Sequence, residues 1–264
     1  MSEPNTSRSR RGIYLLPNLF TTGSLFAAFY AIVAGNLGRF DAAAIAIFIA
    51  MLLDGLDGRV ARMTNTASDF GKEYDSLADM VSFGLAPALV MFEWSLQHAV
   101  QGGWIWPKIG WLAAFFYTAA AALRLARFNA RSKVQDKRYF QGLPSPASAG
   151  IMLGFVWVCH DLEYAGAQLW PLAIVVTIFA GAMMVSNIAF YSFKDVDVRN
   201  RVPFIAMLAV VLGFILTTLD PPKFLFAVFL VYALSGPITQ LLRWRKKRGK
   251  SMPEADKEID KGAN

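Results

Sequence analysis

The chain has 264 residues, of which 55% are hydrophobic and 17% charged, with a mean hydropathy of +0.40. Those values exclude an ordinary soluble domain and make the bilayer the solvent for most of the side chains. The net charge is +7, but the basic residues alternate from loop to loop instead of forming one patch, which argues against a nucleic-acid partner and for membrane topology and anionic headgroups.

Residues 1–13 are a short polar tail containing Arg8, Arg10 and Arg11. The first apolar window, 14–35, is longer than the about 7–15 residues of a cleavable signal core, so it is expected to remain in the mature protein. A spanning helix takes roughly 20 residues, and further windows follow at 40–62, 75–97, 109–129, 145–161, 168–190, 202–219 and 223–242. Turn residues separate them: Gly35-Asn36 with Gly38, Gly102-Gly103 with Pro107, Gly142-Leu143-Pro144, Gly166, and Asp220-Pro221-Pro222. The reading is an all-α integral membrane protein, a bundle of about eight transmembrane helices occupying 14–242. The tail 243–264 is basic to Lys250, then polar, and is expected to be disordered.

Positive residues stay on the cytoplasmic side during insertion. With the N-terminus inside, only Arg39, Lys108 and Lys223 of the 26 lysines and arginines fall outside. Both termini are therefore expected in the cytoplasm, which requires an even number of spans. The single cysteine, Cys159, excludes an intrachain disulfide and a cysteine metal cluster. His98 and His160 fall at the external side.

Between Met51 and Asp79 the sequence reads MLLDGLDGRVARMTNTASDFGKEYDSLAD. Acidic side chains interrupt apolar windows here, at a cost of roughly 2.5–3.5 kcal/mol each near the bilayer centre. Asp54 and Asp57, three apart, share a face near the end of the second window; Asp75 and Asp79, four apart, share one at the start of the third. A short loop with Arg62, Thr64, Asn65, Thr66 and Ser68 makes the two helices antiparallel neighbours, so the acidic faces can meet. Counted from Phe40, Asp57 lies roughly 25 Å along a span of about 30 Å, just inside the cytoplasmic interface. Four carboxylates without histidine or cysteine are hard oxygen ligands suited to Mg²⁺ or Mn²⁺. Two such ions would neutralise the cluster and clamp a phosphate-bearing substrate. Gly55, Gly58 and Gly71 would let the backbone approach a ligand closely. Helix capping would explain Asp75 but not Asp54 or Asp57, which lie where the helix dipole disfavours anions. An ion-coupled transporter would also use intramembrane acids, though nearer the midplane.

The spacing Asp54-x2-Asp57-Gly58-x2-Ala61-Arg62-x8-Gly71-x3-Asp75-x3-Asp79 resembles the motif of the CDP-alcohol phosphotransferase family, with every position filled. The resemblance implies that an alcohol attacks the phosphorus of a CDP-linked lipid, releasing CMP, at a dimetal centre in the membrane. It implies Asp54, Asp57, Asp75 and Asp79 as metal ligands, with Asp79 also the base that takes the alcohol proton. Gly58, Ala61 and Gly71 would shape the cytidine pocket, and Arg62 would lie near the nucleotide. Leu16-Pro17-Asn18-Leu19-Phe20-Thr21 looks like the family's Pro-Asn-x-x-Thr entry to the first span, so Asn18 and Thr21 would hydrogen-bond the nucleotide, although ordinary capping beside Pro17 accounts for them nearly as well. The amphipathic helix that often precedes the first span in this family is expected to be missing or minimal. A homodimer is a further implication.

Three more stretches resemble the serine-using branch: Asp75 to Ala88 (DSLADMVSFGLAPA), Leu123 to Asn129 (LRLARFN) and Gly142 to Ala147 (GLPSPA). They imply CDP-diacylglycerol as donor and L-serine as acceptor at the cytoplasmic face of the cell membrane. Arg124, Arg127 and Arg131 fall on one helix face in the same leaflet as the aspartates, and guanidinium forks suit a serine carboxylate or a lipid phosphate. Positive-inside placement explains arginines there as well. Asn129, Ser145 and Ser82 are further candidates for acceptor contacts. Transfer to another alcohol, such as glycerol 3-phosphate, choline or an inositol phosphate, is the nearest alternative.

Overall fold

The computed structural model describes residues 7–64, 66, 68–131, 139–191 and 204–250. It is helical nearly throughout. Helix α1 (Ser7–Asn36) leads by a tight turn at Gly38, where φ is +73°, into α2 (Phe40–Met63). One rod then runs from Asp69 to Trp94 as α3 (Asp69–Asp79), a π-helical turn (Met80–Leu85) and α4 (Ala86–Trp94). A 3-10 turn (Leu96–Gly102) precedes α5 (Trp106–Arg131). Helices α6 (Ser145–Asp161), α7 (Gly166–Val185), α8 (Phe204–Leu219) and α9 (Pro221–Lys250) complete the described chain.

Five stretches are long and apolar enough to cross a membrane by length and composition: Leu16–Asn36, Asp69–Trp94, Trp106–Ala130, Gly166–Val185 and Pro221–Leu241. Helix α2 has the length, but Asp41, Asp54, Asp57, Arg59 and Arg62 interrupt it. Helices α6 and α8, with 17 and 16 residues, are shorter than a straight span of the usual roughly 20.

The all-α expectation holds, with one small addition: an antiparallel ribbon of β1 (Tyr139–Gln141) and β2 (Ala189–Tyr191), in which Phe140 pairs in register with Phe190. Outside a helix, backbone groups must find partners elsewhere. Here Gly142 N–H donates to Ile188 O at 2.9 Å and Leu143 N–H to Met183 O at 2.9 Å. Gly142 has φ +81°, a conformation that favours glycine.

Three boundaries also move. Helix α1 starts at Ser7, inside the segment read as a polar tail. Helix α9 continues through the basic run to Lys250, because lysine and arginine are good helix formers and their charges favour a helix C-terminus. Helix α3 starts at Asp69, six residues before the expected window, with Ser68 accepting Gly71 N–H at 3.0 Å as its cap. Asp75 therefore lies two turns inside the helix, which removes the capping explanation for it. Asn65 in the expected loop, and 251–264 of the expected disordered tail, lie outside the described residues.

Helix α1 packs most extensively on α2, and both bury small residues: Ala27, Ala28, Ala31 and Ala34 on α1, and Ala43, Ala44, Ala46 and Ala50 on α2. Small side chains let membrane helices approach closely where lipid offers no hydrophobic driving force. Ser24 ties the pair together by donating to Ala50 O at 3.1 Å. The rod Asp69–Trp94, α5, α6 and α7 close around this pair, with Phe83, Met91, Tyr117, Met152 and Met184 in the common core.

Candidate active site

Because α2 ends at Met63 and α3 begins at Asp69, the last turns of α2 and the first turns of α3 lie side by side. Asp54, Asp57 and Asp75 each bring an oxygen to one point, all within 4.8 Å of one another. The Asp79 carboxyl comes within hydrogen-bonding range of Asp54. Three ionised carboxylates at that separation repel by roughly 3–4 kcal/mol per pair at an effective dielectric of 20, so a cation between them offsets a large cost.

The donor set fits a hard divalent ion. All its atoms are carboxylate oxygens, and Asp75 Oδ1 is buried with no hydrogen-bond partner. His160 is remote: its ring packs edge-on against Phe40, the first residue of α2, with centroids 5.8 Å apart. Fourteen residues separate Phe40 from Asp54, about 21 Å along the axis. Cys159 lies buried on α6, in the turn beside His160.

The candidate nucleotide residues surround the triad unequally. Thr21 is 3% exposed and donates to Asp57 Oδ2 at 2.7 Å, with Pro17 O at 3.2 Å as its alternative acceptor. Its proton is thus directed at a carboxylate, and Asp57, 5% exposed, is held by a neighbouring helix. Asn18 Oδ1 and Ser68 Oγ would lie 3.4 Å and 3.2 Å from a Cβ at position 71, so glycine there leaves room for the α1–α3 approach. Gly58 is different: a Cβ would meet nothing within 4 Å. Packing inside the chain does not require glycine at 58, and its exposed face is open to a ligand. Ala61 is half-buried, its carbonyl accepting Thr66 N–H at 3.1 Å, while the exposed Arg62 donates from Nε to Gly58 O at 2.9 Å.

The acceptor candidates separate into two groups. Arg124 is 9% exposed, lies within electrostatic range of Asp79, donates to Ser145 Oγ at 2.6 Å and keeps a buried Nε without a partner. Ser145 is fully buried at the first turn of α6. A buried guanidinium with an unused donor beside a carboxylate cluster is suited to an anionic group. Arg127, three residues on, points its donors at the C-terminus of α7: Met184 O, Val185 O and Ser186 O each at 3.3 Å and Asn187 Oδ1 at 3.2 Å. Carbonyls at a helix end need such partners, so Arg127 clamps α7 and is engaged there. Asn129 donates to Ser76 Oγ at 3.0 Å, tying α5 to α3, and Ser82 is buried against Ser24 at 3.4 Å. The Arg131 side chain lies outside the described residues.

Two features escaped the sequence reading. One is the Thr21–Asp57 bond, which needs the α1–α2 packing to be known. The other is the π turn directly after Asp79, for which Pro87 inside an apolar window was the available signal.

Comparison with known proteins follows the same residues. The model of the CDP-alcohol phosphatidyltransferase family matches residues 14–185. The chain is similar to a protein of Helicobacter pylori named CDP-diacylglycerol–serine O-phosphatidyltransferase, 32% identical over 222 residues, covering 84% of this chain and 90% of that one. Proteins of the same name from Mycobacterium leprae (33% identical, 87% of this chain and 76% of the relative) and Methanocaldococcus jannaschii (32%, 73% and 81%) are also similar.

Proposed function

This chain belongs to the CDP-alcohol phosphatidyltransferase family, and from that premise we propose that it transfers the phosphatidyl group of CDP-diacylglycerol to the hydroxyl of L-serine. The observation that carries the reading is the convergence of Asp54, Asp57 and Asp75 within 4.8 Å beside the open face of Gly58. The name shared by relatives from bacteria, an archaeon and yeast supports serine as the acceptor.

In the reaction the serine oxygen forms a bond to the lipid-bearing phosphorus, the bond from that phosphorus to the CMP oxygen breaks, and the hydroxyl proton must be removed. Asp54, Asp57 and Asp75 would hold divalent metal, Mg²⁺ or Mn²⁺, with Asp79 completing the set for a second ion. Such metal would supply charge neutralisation and Lewis acidity for phosphoryl transfer. Thr21 orients Asp57 by its hydrogen bond. Asp79, within range of both the triad and Arg124, takes the serine proton. The open face of Gly58, with Ala61, Gly71, Asn18 and Arg62, receives the cytidine nucleotide. Arg124, steadied by Ser145, receives the serine carboxylate or the lipid phosphate.

The same reading makes the protein a multi-pass protein of the cell membrane, with eight transits, both termini cytoplasmic and the site at the cytoplasmic face. Helices α2, α6 and α8 then cross alongside the five longer apolar stretches, shielded by them or tilted little. The enzyme works as a homodimer among anionic lipids and takes no nucleic acid.

Purified full-length protein in detergent, given CDP-diacylglycerol, Mg²⁺ or Mn²⁺ and a panel of alcohols, is expected to release CMP with L-serine. Release with another alcohol in preference would overturn the acceptor, and no release with any would overturn the enzyme. Asp75→Asn is expected to reduce turnover at least about a hundredfold while the protein still accumulates in the membrane; rates near the parent's would refute the metal assignment.

A further inference from the structure

The rod Asp69–Trp94 changes character directly after Asp79, at the π turn Met80–Leu85. There Ala86 N–H donates to Val81 O, five residues back instead of four. Such a turn takes in one extra residue, which sets the helix beyond it back by about 100°. The phase between the Asp75–Asp79 face and the packing face of α4 therefore depends on this turn keeping its form.

The chemistry around the turn accounts for its persistence. In an α-helix the donor to Phe83 O would be the N–H of residue 87, and Pro87 has none. Tyr117 of α5, fully buried, donates its hydroxyl to that carbonyl at 2.9 Å. A buried carbonyl that loses its α-helical donor is costly unless another donor reaches it, and the Tyr117 hydroxyl is one that α5 brings to it. Helix α5 lies close along the turn: a Cβ at Gly84 would sit 3.1 Å from Ala121 Cβ and 3.1 Å from Met80 Sδ. On the other flank, Ser82 meets Ser24 at 3.4 Å, and Ser24 bonds Ala50 O, one helical turn before Asp54. The turn is thus latched to α5 on one side and to the α1–α2 pair on the other.

We infer that Tyr117 is a positioning residue for the reaction, holding the π turn so that Asp79 faces Asp54 and the metal site. The inference rests on the reading of Asp79 as part of the active site. In this role Tyr117 acts through the backbone at Phe83.

The test uses the full-length protein with L-serine and CDP-diacylglycerol at saturating Mg²⁺, following kcat, both KM values and the thermal midpoint. Tyr117→Phe is expected to lower kcat about tenfold with both KM values within about twofold of the parent. In Tyr117→Phe combined with Pro87→Ala, residue 87 regains an N–H that can satisfy Phe83 O within the helix. The thermal midpoint is expected to recover in that double variant and kcat is not, because the carbonyl is paired but the π turn is no longer required. A parental kcat in Tyr117→Phe, or recovery of kcat together with the midpoint in the double variant, would overturn the inference. Should Tyr117→Phe fail to accumulate, Gly84→Ala reads the same turn by pressing a methyl into it, and a parental kcat there overturns the inference equally. Asp79→Asn separates the premises: parental rates in that variant sink the site reading itself, whereas a dead Asp79→Asn with a normal Tyr117→Phe sinks only the positioning role.

Discussion

Asp57 is buried, at 5% exposure, and its orientation is set by a residue on another helix. The Thr21 hydroxyl donates to Oδ2 and so fixes the rotation of the carboxylate. Partners that orient a metal ligand are typically worth 10–100-fold in affinity. Thr21→Val, which keeps the shape and removes the donor, is therefore expected to raise the Mg²⁺ concentration for half-maximal CMP release by about 10–100-fold, with a matching loss in the Mg²⁺-induced rise of the thermal midpoint. A parental Mg²⁺ dependence would show that Asp57 needs no such support. Spacing alone was enough to bring Asp54, Asp57 and Asp75 together, because helical period and an antiparallel hairpin leave few other arrangements. It was not enough for Arg124 and Arg127. They share a helix face in sequence, yet one meets Ser145 near Asp79 and the other caps α7. Which carbonyls lie beside a guanidinium depends on a helix sixty residues away.

At the scale of elements, glycines divide by what surrounds them. Gly58 has open space where a Cβ would be, and Gly142 has positive φ with Arg127 Nη2 3.1 Å from a Cβ position. Gly58→Ala is expected to leave the thermal midpoint unchanged or raise it, since alanine favours a helix by up to about 1 kcal/mol, while raising KM for CDP-diacylglycerol. Gly142→Ala is expected to lower the midpoint, because the β1–α6 corner holds a conformation alanine resists. An unchanged KM in the first variant would deny Gly58 a place in the nucleotide pocket. Helix positions were legible from apolar windows, but their ends were not. Helix α3 begins at Ser68 and Asp69 by a local side-chain cap that hydropathy does not register. The π turn was equally hidden: Pro87 marks a missing donor, but the answering hydroxyl of Tyr117 lies on α5, 30 residues on.

At the scale of the whole molecule, charge asymmetry predicts that position 165 and the C-terminus lie on opposite sides of the membrane. Single-cysteine labelling in sealed vesicles, in a Cys159→Ala background, is expected to modify one position and not the other. Labelling of both from the same side would break the eight-transit topology and leave the five apolar stretches as the firmer count. By itself, the sequence determined that the chain lives in a bilayer and that its acids meet at one end of a helix pair, since both follow from periodicity and from the cost of burying charge. The tertiary structure alone decided which polar side chains face that cluster and which hold helices together. The physical reason is that hydrogen bonds between helices join residues distant in sequence, and no local pattern records them. The four aspartates are a property of two adjacent helices; the bonds of Thr21 to Asp57, Arg124 to Ser145 and Tyr117 to Phe83 join helices that only the packing of the bundle brings near.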